Sequence, residues 1–154
     1  MYSIGKMTDA KVLTCPSCGQ KNRVQVAAAG VPHCAKCGAA LPWLVEISAA
    51  DFQSGVEGSP VPVLADFWAP WCGPCRMVAP VVEKIASDLA GRLKVVKINT
   101  DEQPQLQQRF GVQSIPTLIL FEGGREKDRV IGARPAPALR SWVDERLQGA
   151  ARRP

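Results

Sequence analysis

A chain of 154 residues can bury one ordinary hydrophobic core, or one core and a small appendage. With 46% hydrophobic and 21% charged residues it is a folded globular chain rather than a disordered one, and no apolar run reaches the ~20 residues that cross a bilayer. The net charge of +5 gathers at the front, where residues 1–43 hold Lys6, Lys11, Lys21, Arg23 and Lys36 against Asp9 alone; scattered cations with only Tyr2 and Trp43 as aromatics make a solvated surface, not a nucleic-acid footprint.

Met1 to Lys11 has no apolar stretch and does not read as a secretory leader, so a reducing cytoplasm is the expected compartment. Met7 is an alternative start. Six cysteines in a reducing compartment point to metal binding and redox catalysis rather than a disulfide framework. They fall in three pairs of equal spacing: Cys15 and Cys18, Cys34 and Cys37, Cys72 and Cys75.

The first two pairs sit in knuckle-like turns, Cys-Pro-Ser-Cys-Gly and Cys-Ala-Lys-Cys-Gly, around the alternating stretch Asn22–Val26. This segment has too little apolar surface to fold unaided, and the spacing fits one zinc ion held by Cys15, Cys18, Cys34 and Cys37. Gly19 and Gly38 permit the bends, and the binding free energy of zinc becomes folding free energy. Two disulfides and an iron centre of the rubredoxin type are the alternatives. His33 adjoins Cys34, but four thiolates already complete a tetrahedral set. The chain divides into a zinc-binding, ribbon-like module over 1–42 and a second domain over 43–154.

Strand and helix signals alternate from Leu44 onward. Leu44–Ile47 predicts a strand, with Ser48 as N-cap of a helix ending near Gly58. Pro62–Trp68 is a nearly continuous apolar run, as in a strand covered on both faces. The next helix runs from about Cys72 to Leu89, with Val78, Val81, Val82, Ile85 and Leu89 on one face and a kink expected at Pro80. Leu93–Ile98 predicts a strand, Gln103–Phe110 a short helix, Thr117–Phe121 and Arg129–Ile131 a hairpin around Gly123-Gly124, and Pro135–Leu147 a closing helix. This order implies an α/β fold, a mixed central sheet with helices on both faces.

Cys72 and Cys75 fall where a buried strand gives way to a helix. Unpaired amides and the macrodipole favour an anion there, so Cys72 ionises more readily than a free thiol. Cys75 lies one turn on, Gly73 allows close backbone approach, and Pro74 suits a first helical turn. Cys72 would attack a substrate disulfide, and the more shielded Cys75 would then displace the substrate from Cys72. Asp66, in the strand leading to the turn, could take the Cys75 proton if burial raises its pKa; alternatively it pairs with Lys97 on the neighbouring strand.

The run Ala65-Asp66-Phe67-Trp68-Ala69-Pro70-Trp71-Cys72-Gly73-Pro74-Cys75-Arg76 resembles the active-site segment of the thioredoxin family. Lys97–Asp101, Ser114–Thr117 and Val130–Ala133 match it in order and spacing, so the resemblance covers roughly Val45 to Leu147. It implies a thioredoxin fold, a cis bond before Pro116, and a flat apolar docking surface of Trp71, Ile115, Gly132 and Ala133 around the thiols, with Gly73, Pro74 and Pro116 at its centre. It further implies a protein-disulfide reductase recycled by a flavin- and NADPH-dependent thioredoxin reductase, with disulfide-containing proteins as substrates and no bound organic cofactor. A four-cysteine module ahead of such a domain resembles the zinc-binding thioredoxins of bacteria. The other readings are a zinc-module redox sensor, or an adaptor using the second domain as a passive platform; an intact Cys72, Cys75, Asp66 and Pro116 argue against the platform.

Overall fold

A computed structural model describes residues 10–25 and 31–151; the readings placed on residues 1–9 and on Val26 lie outside the described residues. The front of the chain forms a two-stranded antiparallel ribbon, β1 (Ala10–Thr14) against β2 (Lys21–Gln25), in register from Ala10 opposite Gln25 to Thr14 opposite Lys21. The sequence signals only the second of these strands. Of β1, Val12 stands exposed and Leu13 turns inward, too short an alternation to register as a pattern. Leu13 packs with Cys15, Val24, Cys34 and Leu41 into a small core of their own.

The second unit begins at once. Its five-stranded sheet contains β3 (Trp43–Glu46), β4 (Val63–Trp68), β5 (Lys94–Asn99), β6 (Thr117–Glu122) and β7 (Arg125–Ile131), in the order β3-β5-β4-β6-β7. β3, β5 and β4 run parallel; β6 and β7 are antiparallel to their neighbours. Helices α1 (Gly73–Asp88), α2 (Pro104–Arg109) and α3 (Ala136–Ala151) complete it. One sheet face packs Val45, Ala65, Phe67, Val96 and Ile119 against Phe52, Val56 and Leu106. The other packs Leu64, Val95, Leu118 and Leu120 against Val78, Val82 and Ile85 of α1 and Leu139 and Val143 of α3. Helices on both faces of a mixed sheet make this the thioredoxin fold that the sequence implies.

Two local expectations change. The segment after β3 is a 3₁₀ turn (Ala49–Asp51) and a π-helical turn (Gln53–Glu57), and the Ser48 hydroxyl caps neither. Gln103 Oε1 already accepts from the Ala49 amide at 2.9 Å, and the Ser48 carbonyl accepts from Asp51 at 3.1 Å. Helix α1 spans Pro80, in keeping with the single helix expected there. Strand β7 starts at Arg125, not Arg129, because its first residues are charged edge positions that hide the strand pattern; the Arg129–Glu126 and Lys127–Glu122 pairs lie along it.

Candidate active site and metal centre

The parallel strands set the site by ending together. At the end of β4 the Ala69 carbonyl accepts from the Cys72 amide at 3.1 Å, and the chain turns into α1 with Cys72 as N-cap. Cys72 Sγ accepts from the Cys75 amide at 3.2 Å, so the sulfur occupies the place where a helix start favours negative charge. Cys72 and Cys75 are joined as a disulfide. Their exposures, 4% and 5%, make them equally enclosed, whereas the sequence reading has Cys75 the more shielded. Ala69, Trp68 and Ile115 surround the pair.

The loop before β6 faces the sulfurs. Cys72 Sγ lies 3.8 Å from the Ile115 carbonyl oxygen, and the Ile115–Pro116 bond is cis. The Pro116 carbonyl accepts from the Gly132 amide at 2.8 Å, tying the end of β7 to the same rim. Pro116 itself is buried, Ile115 and Gly132 are half-buried, and Gly73, Pro74 and Ala133 are exposed. Trp71 is 67% exposed, and its indole N–H donates to the Asp101 carboxylate at 3.1 Å. In the sequence Asp101 stands only at the end of the Lys97–Asp101 motif; in the fold it is the residue that orients Trp71. Met77 and Ile131 are further exposed apolar side chains, on the first part of α1 and the end of β7.

Asp66 is 1% exposed, and its Oδ1 has no hydrogen-bond partner among the described residues. Burial pushes its carboxyl up to about 6; the Lys97 ammonium pulls it down, and the Glu46 carboxylate adds to the rise. Register explains all three: Lys97 stands opposite Asp66 on one side and opposite Glu46 on the other, so the three form a row across β4, β5 and β3. Lys97 Nζ lies over the Trp68 ring, 4.8 Å from its centroid. Glu46 is missed by sequence reasoning, since nothing in a linear motif joins it to a strand so far along the chain.

In the front module the four remaining cysteines converge. All four Sγ atoms lie within 4.8 Å of one another, with Cys15–Cys37 and Cys18–Cys34 at 3.6 Å. None is in a disulfide, which removes the two-disulfide alternative. A tetrahedral ion with metal–sulfur bonds of about 2.3 Å needs sulfurs about 3.8 Å apart, so the donor set fits zinc. The two knuckles are one turn built twice. In the first, Cys15 N–H donates to Gln20 and Gly19 N–H to Cys15; in the second, Cys34 N–H donates to Ala39 and Gly38 N–H to Cys34, all at 2.8–2.9 Å. Gly19 and Gly38 take φ of 79° and 81°, which only glycine adopts without strain. The Cys37 amide foremost, with that of Lys36, draws the Cys34 thiol down to about 6, against its burial. His33 is exposed and outside the cluster.

A redox-active cysteine pair at the N-terminus of a helix, on this fold, defines a dithiol–disulfide oxidoreductase. The chain belongs to the thioredoxin family, whose sequence profile, described as Thioredoxin, matches residues 43–145. It is 52% identical over 102 residues to Thioredoxin 1 of Nostoc sp., covering 66% of this chain and 95% of that one. The same identity and coverage hold for Thioredoxin of Synechocystis sp.. Against the chloroplastic Thioredoxin M4 of Arabidopsis thaliana it is 42% identical over 144 residues, 92% of this chain and 75% of the relative. It is thus a thioredoxin-type disulfide oxidoreductase. Among the described residues no helix is long and apolar enough to cross a membrane.

Proposed function

We propose that the protein is a general protein-disulfide reductase whose dithiol is restored by an NADPH-dependent thioredoxin reductase. The observation that carries this reading is the Cys72 sulfur at the helix start, accepting from the Cys75 amide. That amide and the helix dipole stabilise a thiolate on Cys72 once the disulfide is reduced. The thiolate attacks one sulfur of a substrate disulfide, forming a Cys72–substrate bond and releasing the other substrate sulfur as thiolate. Cys75 then loses its proton to Asp66 and attacks Cys72, releasing the second substrate sulfur. The substrate gains two electrons and the protein ends as the Cys72–Cys75 disulfide. Lys97 holds the Asp66 carboxylate within a balanced field, while Trp71, Gly73, Pro74, Ile115, Pro116, Gly132 and Ala133 form the rim against which an extended substrate segment lies.

The front module, residues 1–42, holds one zinc on Cys15, Cys18, Cys34 and Cys37, and residues 43–154 carry the chemistry. Zinc supplies cohesion to a segment with too small a core of its own. Four thiolates and one zinc carry two net negative charges, which the basic side chains of this module offset. A reducing cytoplasm keeps those thiolates available to the metal. A passive adaptor would need neither an amide-stabilised Cys72 nor a buried Asp66. Insulin reduction with NADPH and a thioredoxin reductase tests the reading: precipitation of the insulin B chain at catalytic protein concentration is expected, and its absence with reductase and protein both intact would exclude it.

A further inference from the structure

Among the described residues of the front module, the mechanism and the four cysteines leave one buried polar side chain unexplained. Asn22, on β2, is 8% exposed and bonds to both knuckles. Its Oδ1 accepts from the Ala35 amide at 2.9 Å, inside the second knuckle. Its Nδ2 donates at 3.0 Å to the Gln20 carbonyl, which also accepts from the Cys15 amide and so closes the first knuckle.

The internal symmetry of the module says why an asparagine stands there. Each knuckle starts on a cysteine, and Asn22 and Leu41 both lie seven residues after that cysteine. Both are buried, yet one is polar and the other apolar. The difference matches the residue after the leading cysteine of the opposite knuckle. That residue is Ala35 in the second knuckle, whose amide needs an acceptor, and Pro16 in the first, which has no amide hydrogen. The polar side chain therefore stands where the Ala35 amide takes a side-chain acceptor, in a part-buried bond; Leu41 instead packs into the apolar cluster with Cys15 and Cys34.

We propose that Asn22 is a positioning residue that locks the two knuckles into one preformed metal site, so that the four sulfurs converge before the ion arrives. The proposal rests on the zinc reading above. An outer residue of this kind raises affinity without touching the metal, because it spares the ion the work of ordering its ligands.

The test measures zinc affinity of the full-length protein by competition with a chromophoric chelator, and cobalt substitution by its thiolate charge-transfer band. Asn22→Leu strands the Ala35 amide and is expected to weaken zinc binding roughly 10–100-fold, the usual effect of losing such a residue. Adding Ala35→Pro to that variant removes the stranded amide, giving the second knuckle the proline that the first has at position 16, and is expected to restore most of the loss. Wild-type affinity in Asn22→Leu overturns the proposal, and so does a double variant no better than Asn22→Leu, which would mark the site as intolerant for another reason. A wild-type protein that takes up no zinc overturns the metal reading together with this one, so the two failures are told apart.

Discussion

At the residue scale Asp66 is a buried carboxyl whose ionised form the fold disfavours. Its folded-state value of about 6 lies above its ordinary value near 3.8, so between these pH values the native chain keeps a proton that the unfolded chain has lost. Stability therefore falls as pH rises through that window, and above it the penalty is full, about 3 kcal/mol by the usual conversion. Asp66→Asn is expected to unfold at higher denaturant at pH 7.5, with the advantage over wild type vanishing below pH about 4. The same variant should slow insulin reduction, because Cys75 loses its proton acceptor; an unchanged rate from pH 6 to 8 would leave Asp66 a structural residue. Glu46 offers a finer check. Glu46→Gln removes a like charge from the row and should lower the Asp66 pKa in a carbon-13 carboxyl titration, and a constant or higher value would break that link. Among the thiols, Cys72→Ser should abolish reduction while Cys75→Ser accumulates mixed disulfides with substrate; equal trapping by both would reverse the two roles.

At the element scale, legibility in the sequence followed the distance over which a feature is written. The Cys72–Cys75 turn was readable because strand end, N-cap and first helical turn are consecutive, and the four-cysteine cluster because each knuckle is a short local bend. Lys97 could be placed beside Asp66 only by guessing neighbouring strands, and the register of β4 and β5 bears that neighbourhood out. Glu46, Asp101 and Asn22 carried no signal, since their partners arrive through parallel register, a surface turn and a facing knuckle. Lys94 was hidden differently: inside an apolar run it is fully buried, its Nζ donating to the Gly55 carbonyl at 2.7 Å and lying 4.4 Å from the centre of the Trp43 ring. If the four front cysteines hold zinc as proposed, ribbon β1–β2 would depend on the metal in a way that the five-stranded sheet would not, for its core is little more than Leu13, Val24 and Leu41 around Cys15 and Cys34. Removing zinc with a strong chelator should therefore release amide protection in residues 10–25 and leave that of β4, β5 and β6 in place, as hydrogen exchange can measure. Loss of protection across the whole chain would make the metal a determinant of both units.

At the scale of the whole molecule the two units meet far from the thiols. The catalytic turn follows the last residue of β4, Trp68, whereas the module joins at the first residue of β3, Trp43, which stands level with Val63 and Lys94. Five steps along β4 separate those levels, roughly 17 Å at the usual strand rise. The contacts at the junction are apolar: Val31 packs against the core that contains Trp43, and Ala40 abuts Gly91 so closely that a Cβ there would lie 3.1 Å away. Trp43 is 1% exposed, and Leu41, two residues earlier, is buried in the module's own core, so one short segment is anchored at both ends. Among the described residues these contacts tie the module to the Trp43 end of the sheet, away from the thiols. A chain beginning at Trp43 is accordingly expected to fold, to reduce insulin within about twofold of the full-length rate, and to keep its reduction potential. It should lose the cover over Trp43, on the order of 1–2 kcal/mol of apolar burial. For a unit of this size that lowers Tm by roughly 5–10 °C. Calorimetry beside the insulin assay decides the matter: equal melting temperatures would show that the junction carries no energy, and a folded but inactive truncated chain would place the module in substrate binding after all.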